Sequence, residues 1–286
     1  MSEGFSADWL RRREPFDALA RAPHLAERLS AALPQRPRLL ELGAGAGSLF
    51  RWLAPRIGRA QAWTMLDADE TLLAYGFERT AEWAERQGWK VTAPSGALLV
   101  HAPGGAWRIE ARVADFGDSP DDLPLEGHDA VVCSALMDLV SPAWSRRLAA
   151  RLAVPFLACL TVDGRDRFIP GHPDDALIRR GFARHMRSDK GFGPAMGQAA
   201  PAMLARILAE EGFSVATAAS DWLVPRVATA LLAEMVEGHA GAAADALPAS
   251  ASRISAWRTA RLEAVAAGRL SLVIGHRDLL ALPDKE

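Results

Sequence analysis

A glycine-rich segment is the part of the sequence whose residue types and spacing point most directly to chemistry. The letters ELGAGAG occupy residues 41–47 and overlap the end of a short apolar run, residues 38–42. Helical spacing of apolar residues resumes over residues 48–57. Glycines between a strand and a helix let the backbone turn sharply and approach a ligand closely. The segment therefore predicts a cradle for a nucleotide-like ligand.

The neighbours of this glycine loop separate two kinds of ligand. A dinucleotide pattern, GxGxxG, needs Gly or Ala where this chain has Ser48, and the spacing here is GxGxG. Glu41 opens the loop, and its carboxylate suits a ligand with a cationic end better than a pyrophosphate. The loop also lacks Lys and Arg to meet phosphates. The loop favours a cationic nucleoside ligand, while a nicotinamide- or flavin-dependent oxidoreductase stays the alternative.

Two further carboxylates lie where strands are predicted to end. Asp67 follows the run of residues 61–66, and a carboxylate there accepts the ribose hydroxyls of a nucleotide. Asp115 lies in the sequence ADF at residues 114–116, where it is placed to accept from an adenine amino group with Phe116 against the ring. Helix capping or solvation is the alternative role for both aspartates.

Alternating strands and helices are predicted to bring these residues to one edge of a sheet. Apolar runs predict strands over residues 38–42, 61–66, 107–113, 128–134 and 155–162. Strands that alternate with helices indicate parallel βαβ units, and hence a doubly wound, Rossmann-like α/β fold. The carboxyl ends of such strands share one edge, which is where ligands bind.

The flanking segments are predicted to be mostly helical. Phe5 to Leu33 should form two helices separated at Pro15, and residues 96–116 should contain a hairpin. Past residue 163, the pattern predicts helices over residues 174–186, 201–211, 227–237 and 253–267, strands over 213–218 and 270–274, and a flexible link over 238–250.

The loop, Asp67, the ADF segment and the sequence CSALMDLV at residues 133–140 together resemble the successive motifs of class I S-adenosylmethionine-dependent methyltransferases. The resemblance covers about residues 38–163. It implies a seven-stranded sheet of order 3-2-1-4-5-7-6 with an antiparallel last strand, identified here with residues 270–274, and added N-terminal and C-terminal helices. It also implies S-adenosyl-L-methionine as cofactor. The residues expected to bind it are Arg21, Glu41, Gly43, Ala44, Gly45, Gly47, Asp67, Ala68, Ala114, Asp115, Phe116, Ser134 and Ala135.

The whole chain resembles, more narrowly, a group of bacterial methyltransferases whose genes lie near those of pterin synthesis. The residues that carry this resemblance are Trp9-Leu10 with Arg13-Glu14-Pro15 and Asp17, then Arg21, Asp189-Lys190-Gly191, and Gly275-His276 with Asp278-Leu279-Leu280. The resemblance implies an oxygen, nitrogen or carbon atom of a small polar, pterin-like heteroaromatic metabolite as the methyl acceptor. A non-catalytic module that binds the cofactor is a further alternative, because methyl transfer has no obligatory signature residue.

Methyl transfer from a sulfonium needs alignment, exclusion of water and, for some acceptors, removal of a proton. Asp138 and His185 are the candidate catalytic residues, with helix capping and a surface position as their alternative roles. The polar, glycine-rich stretch 185–198 is a candidate lid over the acceptor. The candidate substrate-binding residues are Arg13, Asp163, Arg165, Lys190, Trp222 and His276.

Composition bounds the domain organisation and the partners. The chain has 286 residues, half of them hydrophobic, which suits one domain with additions. We expect a helical cap at residues 1–37, a cofactor-binding core at 38–163 and substrate-side insertions at 164–200 and 220–269. The later insertion is also a candidate homodimer contact.

Charge and cysteine content narrow the setting. Lys and Arg number 33 against 35 Asp and Glu, which argues against a nucleic-acid partner. Cys133 and Cys159 lie in apolar runs and fit small core residues of a cytoplasmic protein, with no metal site. We expect no signal peptide and no membrane span.

Overall fold

A computed structural model describes residues 6–284, and these form two sheets flanked by helices. The helices are α1 (Ala7–Ala20), α2 (Pro23–Ala32), α3 (Ser48–Ile57), α4 (Glu70–Arg86), α5 (Pro142–Arg151), α6 (Asp175–Met186), α7 (Ala200–Glu210), α8 (Thr229–Ala246) and α9 (Ala251–Ala266). The strands are β1 (Arg38–Leu42), β2 (Gln61–Asp67), β3 (Lys90–Thr92), β4 (Leu98–Ala102), β5 (Gly105–Val113), β6 (Ala130–Ser134), β7 (Phe156–Val162), β8 (Arg167–Ile169), β9 (Phe213–Ala219), β10 (Trp222–Val224), β11 (Ser271–Ile274) and β12 (His276–Pro283).

The main sheet confirms the Rossmann-like α/β fold and corrects its size. It has nine strands in the order β3-β4-β5-β2-β1-β6-β7-β12-β9, so the seven-stranded sheet is wrong in its count. The run from β5 to β9 contains the order 3-2-1-4-5-7-6, and β3 and β4 extend the sheet beyond β5 as an antiparallel edge. Strands β5, β2, β1, β6 and β7 are parallel, whereas β12 is antiparallel to both of its neighbours.

The antiparallel strand next to β7 is a different segment from the one predicted. Residues 271–274 form β11, which joins β10 and β8 in a separate three-stranded antiparallel sheet. The seventh position belongs instead to β12, whose buried Asp278 interrupts the apolar pattern that marks a strand. The residues around Asp278 therefore did not predict a buried strand.

Two helical predictions are also wrong. Pro15 lies inside α1, and the break between α1 and α2 falls at Arg21 and Ala22. Ala22 is extended because it precedes Pro23, which disfavours helical backbone in the residue before it. The predicted link over residues 238–250 is mostly helix, since α8 runs to Ala246.

Three apolar clusters hold these layers together. One lies on the α2, α3 and α4 face of the main sheet and includes Trp63 and Trp107. A second lies on the α5 and α7 face. The third packs α6, α8 and α9 on the small sheet and also contacts Trp9 and Phe16 of α1. The small sheet and its helices thus form an added layer beside the carboxyl end of β7.

Candidate functional site

The glycine loop between β1 and α3 needs its glycines for backbone conformation. Gly43, Gly45 and Gly47 have φ angles of 62°, 50° and 75°, in the left-handed region that favours glycine. The Ala44 N–H donates to the Leu66 carbonyl at 2.9 Å, which fixes the loop against the end of β2. The loop therefore presents bare backbone at the carboxyl edge of the sheet.

Asp67, the last residue of β2, is held in place by that loop. Its Oδ2 accepts from the Gly45 N–H at 2.7 Å and its Oδ1 accepts from the Asp69 N–H at 3.0 Å. The residue is half-buried, and a carboxylate oxygen with one donor keeps capacity for a second. Asp67 can thus accept ligand hydroxyls in a fixed orientation. Ala68, the next residue, is exposed.

Glu41 is a buried carboxyl group beside the loop with unused hydrogen-bonding capacity. It is 2% exposed, and its Oε2 has no hydrogen-bond partner among residues 6–284. Burial raises its pKa to about 8, although the charges of Arg21 and Arg51 act in the opposite direction. Glu41 without a ligand therefore keeps its proton at neutral pH, and a cation placed beside it would favour the ionised form.

Helix α1 and the residue that follows it lie over the loop. Arg21 is buried and donates to the hydroxyls of Ser48 and Ser134, both at 3.0 Å. Its Nε has no partner. Leu10 lies 3.4 Å from the point that a Cβ at Gly45 would occupy. Ser134 and its half-buried neighbour Ala135, whose φ is 53°, form the adjoining wall at the end of β6.

The predicted adenine side is covered by the loop that sequence reasoning placed over the acceptor. Phe116 is buried against Trp144 and Phe192, with ring centroids 6.3 and 5.9 Å away. The Ser141 N–H donates to the Phe192 carbonyl at 3.3 Å, which fixes this part of the loop. Asp115 is exposed and accepts from Gly117 at 2.9 Å, whereas Ala114 is half-buried.

Asp138 is the second buried carboxyl group with a free oxygen. It follows β6, is 4% exposed, and its Oδ1 has no partner. Burial raises its pKa to about 6, while backbone amides, among them that of Val162, and the charge of Arg13 lower it. Its backbone carbonyl accepts from Gly197 at 2.9 Å. Asp138 is thus poised to exchange a proton near neutral pH.

His276, Trp222 and Arg13 form a cluster next to Asp138. His276 begins β12 opposite Val162, and its buried Nδ1 has no partner. Burial, followed by the charge of Arg13, lowers its pKa to about 4, so the imidazole is neutral. The rings of His276 and Trp222 lie 5.4 Å apart, and the Arg13 guanidinium lies 4.9 Å from the Trp222 ring centroid.

Trp222 does not occupy the polar turn predicted from its neighbours. It is a buried residue of β10, and its indole N–H donates to Asp17 at 3.1 Å. Arg13 also bonds Asp17, with its Nε 3.1 Å from Oδ2. Asp17 is therefore the anchor that positions both side chains. Its place four residues after Arg13 was a signal available in the sequence.

The remaining predicted residues pair with one another. The Nε2 atom of His185 lies 3.0 Å from the Lys190 ammonium group, and burial together with Lys190 lowers the pKa of His185. Arg165 forms ion pairs with Asp163 and Asp221. These contacts satisfy each group within the protein, so none of the four has the free, buried atom that Asp138 has.

Sequence reasoning missed one buried pair on the added layer. Asp166, just before β8, has its Oδ2 3.5 Å from the Nε2 of His239 in α8, and its Oδ1 has no partner. No local pattern links these residues, because 73 positions separate them.

Three other findings concern the described residues 6–284. No group of three or more His, Cys, Asp and Glu side chains in this range could hold a metal ion. No helix in this part of the chain is long and apolar enough to cross a membrane. Two surface depressions of about 550 and 410 Å³ are lined by residues such as Arg167 and Arg112, away from the glycine loop.

Comparisons with known proteins give a short sequence match and several structural likenesses. No family model matches the chain. A stretch of 53 residues, 18% of the chain, is 51% identical to the biotin biosynthesis bifunctional protein BioCD of Bordetella avium. The match spans only 11% of that protein's length.

Three solved structures illustrate the structural likenesses. A cyclopropane-fatty-acyl-phospholipid synthase-like protein of Lactobacillus casei is 16% identical, with 96% of this chain and 94% of that chain covered and a TM-score of 0.49. A cyclopropane synthase of Mycobacterium tuberculosis is 14% identical, with 97% and 94% covered and a TM-score of 0.47. A SAM-dependent methyltransferase of Geobacter sulfurreducens, in complex with S-adenosyl-L-homocysteine, is 16% identical, with 92% and 91% covered and a TM-score of 0.43. At these scores the likenesses carry no argument of their own.

The class of the fold follows from the chain's own sheet and loop. The run β5-β2-β1-β6-β7-β12-β9 has an antiparallel β12, a glycine loop after β1 and an acidic residue at the end of β2. This arrangement is a Rossmann-like α/β fold with one antiparallel strand, β12, next to the edge strand β9.

Proposed function

We propose that the chain is an S-adenosyl-L-methionine-dependent methyltransferase that acts on a small polar, heteroaromatic acceptor of the pterin-like type. The observation that carries the proposal is Glu41, a buried carboxyl group with an unpartnered oxygen beside the glycine loop. A buried polar atom without a partner is costly unless a ligand satisfies it. A dinucleotide brings phosphates to such a loop and gives no reason for an acidic group there.

The residues present fit this cofactor. Glu41 would accept from the ammonium group of its methionine part, Asp67 from the ribose hydroxyls, and Asp115 from the adenine amino group next to Phe116. The free Nε of Arg21 would meet the carboxylate. The remaining cofactor-binding residues would be Gly43, Ala44, Gly45, Gly47, Ala68, Ala114, Ser134 and Ala135.

The bound cofactor supplies an activated methyl group. The chain's own residues align the acceptor, exclude water and move a proton. Asp138 would accept the proton. Its pKa of about 6 leaves the carboxylate mostly ionised at pH 7, and the same raised pKa makes it a stronger base than an ordinary aspartate. His185 stays a second candidate base, and the residues proposed to contact the acceptor are Arg13, Asp163, Arg165, Lys190, Trp222 and His276.

The proposed organisation assigns residues 38–163 to the cofactor, residues 1–37 to a cap, and residues 164–200 and 220–269 to the acceptor side. Contacts between α1 and the glycine loop, and between α1 and β10, support this division. Homodimer formation through the segment 220–269 is part of the same proposal, and sedimentation equilibrium tests it.

Calorimetric titration of the purified protein with S-adenosylmethionine, S-adenosylhomocysteine and NADH tests the cofactor. We expect both sulfur ligands to bind and NADH not to bind. Glu41→Ala and Asp67→Ala should weaken binding without unfolding the protein, and Asp118→Ala at an exposed position is the matched control. NADH binding without S-adenosylmethionine binding would overturn the proposal. Binding without turnover of any pterin-like acceptor would favour a non-catalytic module.

A further inference from the structure

The fold restricts where a methyl acceptor can lie relative to the cofactor. The glycine loop follows β1, Asp67 ends β2, and Asp115 follows β5, on one side of the loop. The nucleoside would therefore extend across β2 toward β5. Strands β6 and β7 lie on the other side of β1, and the methyl end of the cofactor would face them. The acceptor then lies over the carboxyl ends of β6 and β7.

Three buried side chains at those strand ends have a polar atom without a partner. They are Asp138 after β6, Asp166 after β7, and His276, which faces Val162 at the end of β7. The free atoms are one oxygen of each aspartate and the Nδ1 of the histidine. Because a buried polar atom normally has a partner, this concentration of unsatisfied atoms points to a ligand.

Two other ionisable side chains near these atoms, Arg13 and His239, already have partners within the protein. The Arg13 guanidinium already pairs with Asp17 through its Nε and one terminal nitrogen, so its charge is compensated within the protein. His239 has its Nδ1 2.7 Å from the Met235 carbonyl and must donate there, because a carbonyl only accepts. Its Nε2 faces the second oxygen of Asp166. Among the buried Asp and His side chains at these strand ends, the atoms without a partner are two carboxyl oxygens and one neutral imidazole nitrogen.

An aromatic ring lies in the same row as Asp166. Trp222 pairs with Ile274 in the small sheet, and continuing the pairing of Arg167 with Val273 by one residue would bring Asp166 level with Ile274 on its other side. Residues level with each other across a sheet lie on the same face. The Trp222 ring and the Asp166 carboxyl group therefore flank Ile274, and His276 contacts Trp222.

We propose that the acceptor is an aromatic or heteroaromatic compound bearing amine or amidine N–H groups, which Asp138 and Asp166 accept while the ring lies against Trp222. This inference rests on the proposed function. An acceptor that carries a carboxylate or phosphate here would place like charges together in a buried site. N–H donors instead satisfy both free oxygens.

The methyl-accepting atom is then the nitrogen that faces Asp138. Its lone pair forms the new C–N bond as the C–S bond of the sulfonium breaks, and S-adenosylhomocysteine leaves with the sulfur lone pair. The positive charge moves to nitrogen, which gives one proton to the Asp138 carboxylate. No oxidant or further reactant is required.

An isosteric series of probes tests the charge and hydrogen bonding of this site. Benzamidine offers N–H donors and a positive charge, benzamide is neutral, and benzoate offers acceptors and a negative charge. Each is titrated into the full chain saturated with S-adenosylhomocysteine. We expect benzamidine to bind with a Kd on the order of 1 mM, and at least about tenfold more tightly than benzoate, with benzamide between them.

Asp138→Asn and Asp166→Asn test the two carboxyl groups one at a time, because each substitution removes the charge and keeps the shape of the side chain. Each should weaken benzamidine binding about tenfold or more and leave S-adenosylhomocysteine binding unchanged. Exposed Asp121→Asn is the matched control, and circular dichroism checks folding.

The outcomes distinguish the two proposals. Loss of S-adenosylhomocysteine binding in the unmodified chain overturns the proposed function. If that ligand binds, any of three results overturns the amine assignment. Benzoate binds as tightly as benzamidine, benzamidine does not bind up to about 10 mM, or neither variant alters the affinity for benzamidine.

Discussion

Glu41 should make cofactor binding depend on pH. Burial raises its pKa to about 8, so the ligand-free protein carries this proton at pH 6 to 7. An ammonium group next to the free Oε2 favours the ionised carboxylate. Binding of S-adenosylmethionine should therefore release a proton, and the affinity should rise with pH.

The size of this effect follows from the ionised fraction of Glu41. With a pKa of about 8 in the free protein and at or below the ordinary 4.5 in the complex, the ionised fraction of the free protein rises from about 1% at pH 6 to about 9% at pH 7. The Kd should fall about ninefold over this unit, and about 0.9 proton should leave per ligand bound at pH 7. The ligand's own α-amino group, with a pKa of about 7.7 to 8.0, stays mostly protonated over this range.

Calorimetry in two buffers with different ionisation enthalpies measures both quantities. Glu41→Gln should bind the ligand more weakly, with no pH trend and no proton release between pH 6 and 7. A Kd of the unmodified protein that changes by less than about twofold over that unit, without proton release, would refute the reasoning.

The same variant has an independent effect on stability. A carboxyl group whose pKa is raised on folding favours the folded state below its unfolded pKa, and this advantage is lost as pH rises toward the folded pKa. As pH rises from about 4.5 to 8, Glu41 therefore lowers the free energy of unfolding of the ligand-free protein by an increasing amount. At pH 7 the cost is about 3 kcal/mol, so ligand-free Glu41→Gln should unfold at higher urea. Equal midpoints for the two proteins would contradict the raised pKa.

Three further predictions concern separate parts of the site and fold. Gly45→Ala places a side chain on a residue with a φ of 50°, which should cost about 1–2 kcal/mol and weaken cofactor binding, as thermal unfolding and calorimetry measure; an unchanged Kd would count against the loop. If Asp138 accepts the proton, kcat/KM should rise with pH through about 6, and Asp138→Asn should lack this step in a pH–rate profile; the same step in both proteins would assign it elsewhere. Asp278→Ala removes the carboxylate that accepts hydrogen bonds from two buried backbone N–H groups. It should lower the free energy of unfolding, measured in urea, by about 2–5 kcal/mol, whereas Asp284→Ala at an exposed position should cause no change. A change below about 1 kcal/mol would mean that water replaces the carboxylate.

The parallel part of the sheet was predictable because its signals are local. Apolar runs bounded by turn residues marked β1, β2, β5, β6 and β7, and the glycine loop fixed the turn after β1. Strand β12 was not predictable in the same way. Its Asp278 is polar but fully buried, and it is stabilised by the N–H groups of Ala22 and Leu160, which lie 256 and 118 residues away.

The candidate site shows the same limit. Asp138 could be selected because it follows β6 at the expected edge, and His276 because it follows residues 270–274, which were predicted to be the last strand of the main sheet. The effect of the Arg13 charge on the pKa values of both residues could not be predicted, because Arg13 lies in the first helix, far from both in the sequence. Asp166 and His239 gave no signal at all, because one lies in a turn and the other in a segment predicted to be a flexible link.

The buried carboxyl groups near the site differ in whether the protein donates hydrogen bonds to both of their oxygens. Those with both oxygens bonded stabilise the fold, and those with an unpartnered oxygen are the ones proposed to bind a ligand. Asp17 and Asp278 are only 3% and 0% exposed, yet both of their oxygens accept from protein donors. Their oxygens are therefore satisfied within the chain, although burial still raises the pKa of Asp278. Glu41, Asp138 and Asp166 each keep one oxygen without a partner.

Such atoms lower stability, and a fold retains them where their interaction with a ligand compensates. Glu41 lies beside the glycine loop, whereas Asp138 and Asp166 lie at the ends of β6 and β7. In the proposed function, the two positions correspond to the two substrates of the transfer reaction. This difference predicts opposite responses: removing the charge of Glu41 or Asp138 should stabilise the ligand-free chain, whereas removing Asp278 should destabilise it. Equal loss of stability in all three variants would show that unpartnered oxygens do not mark a site in this protein.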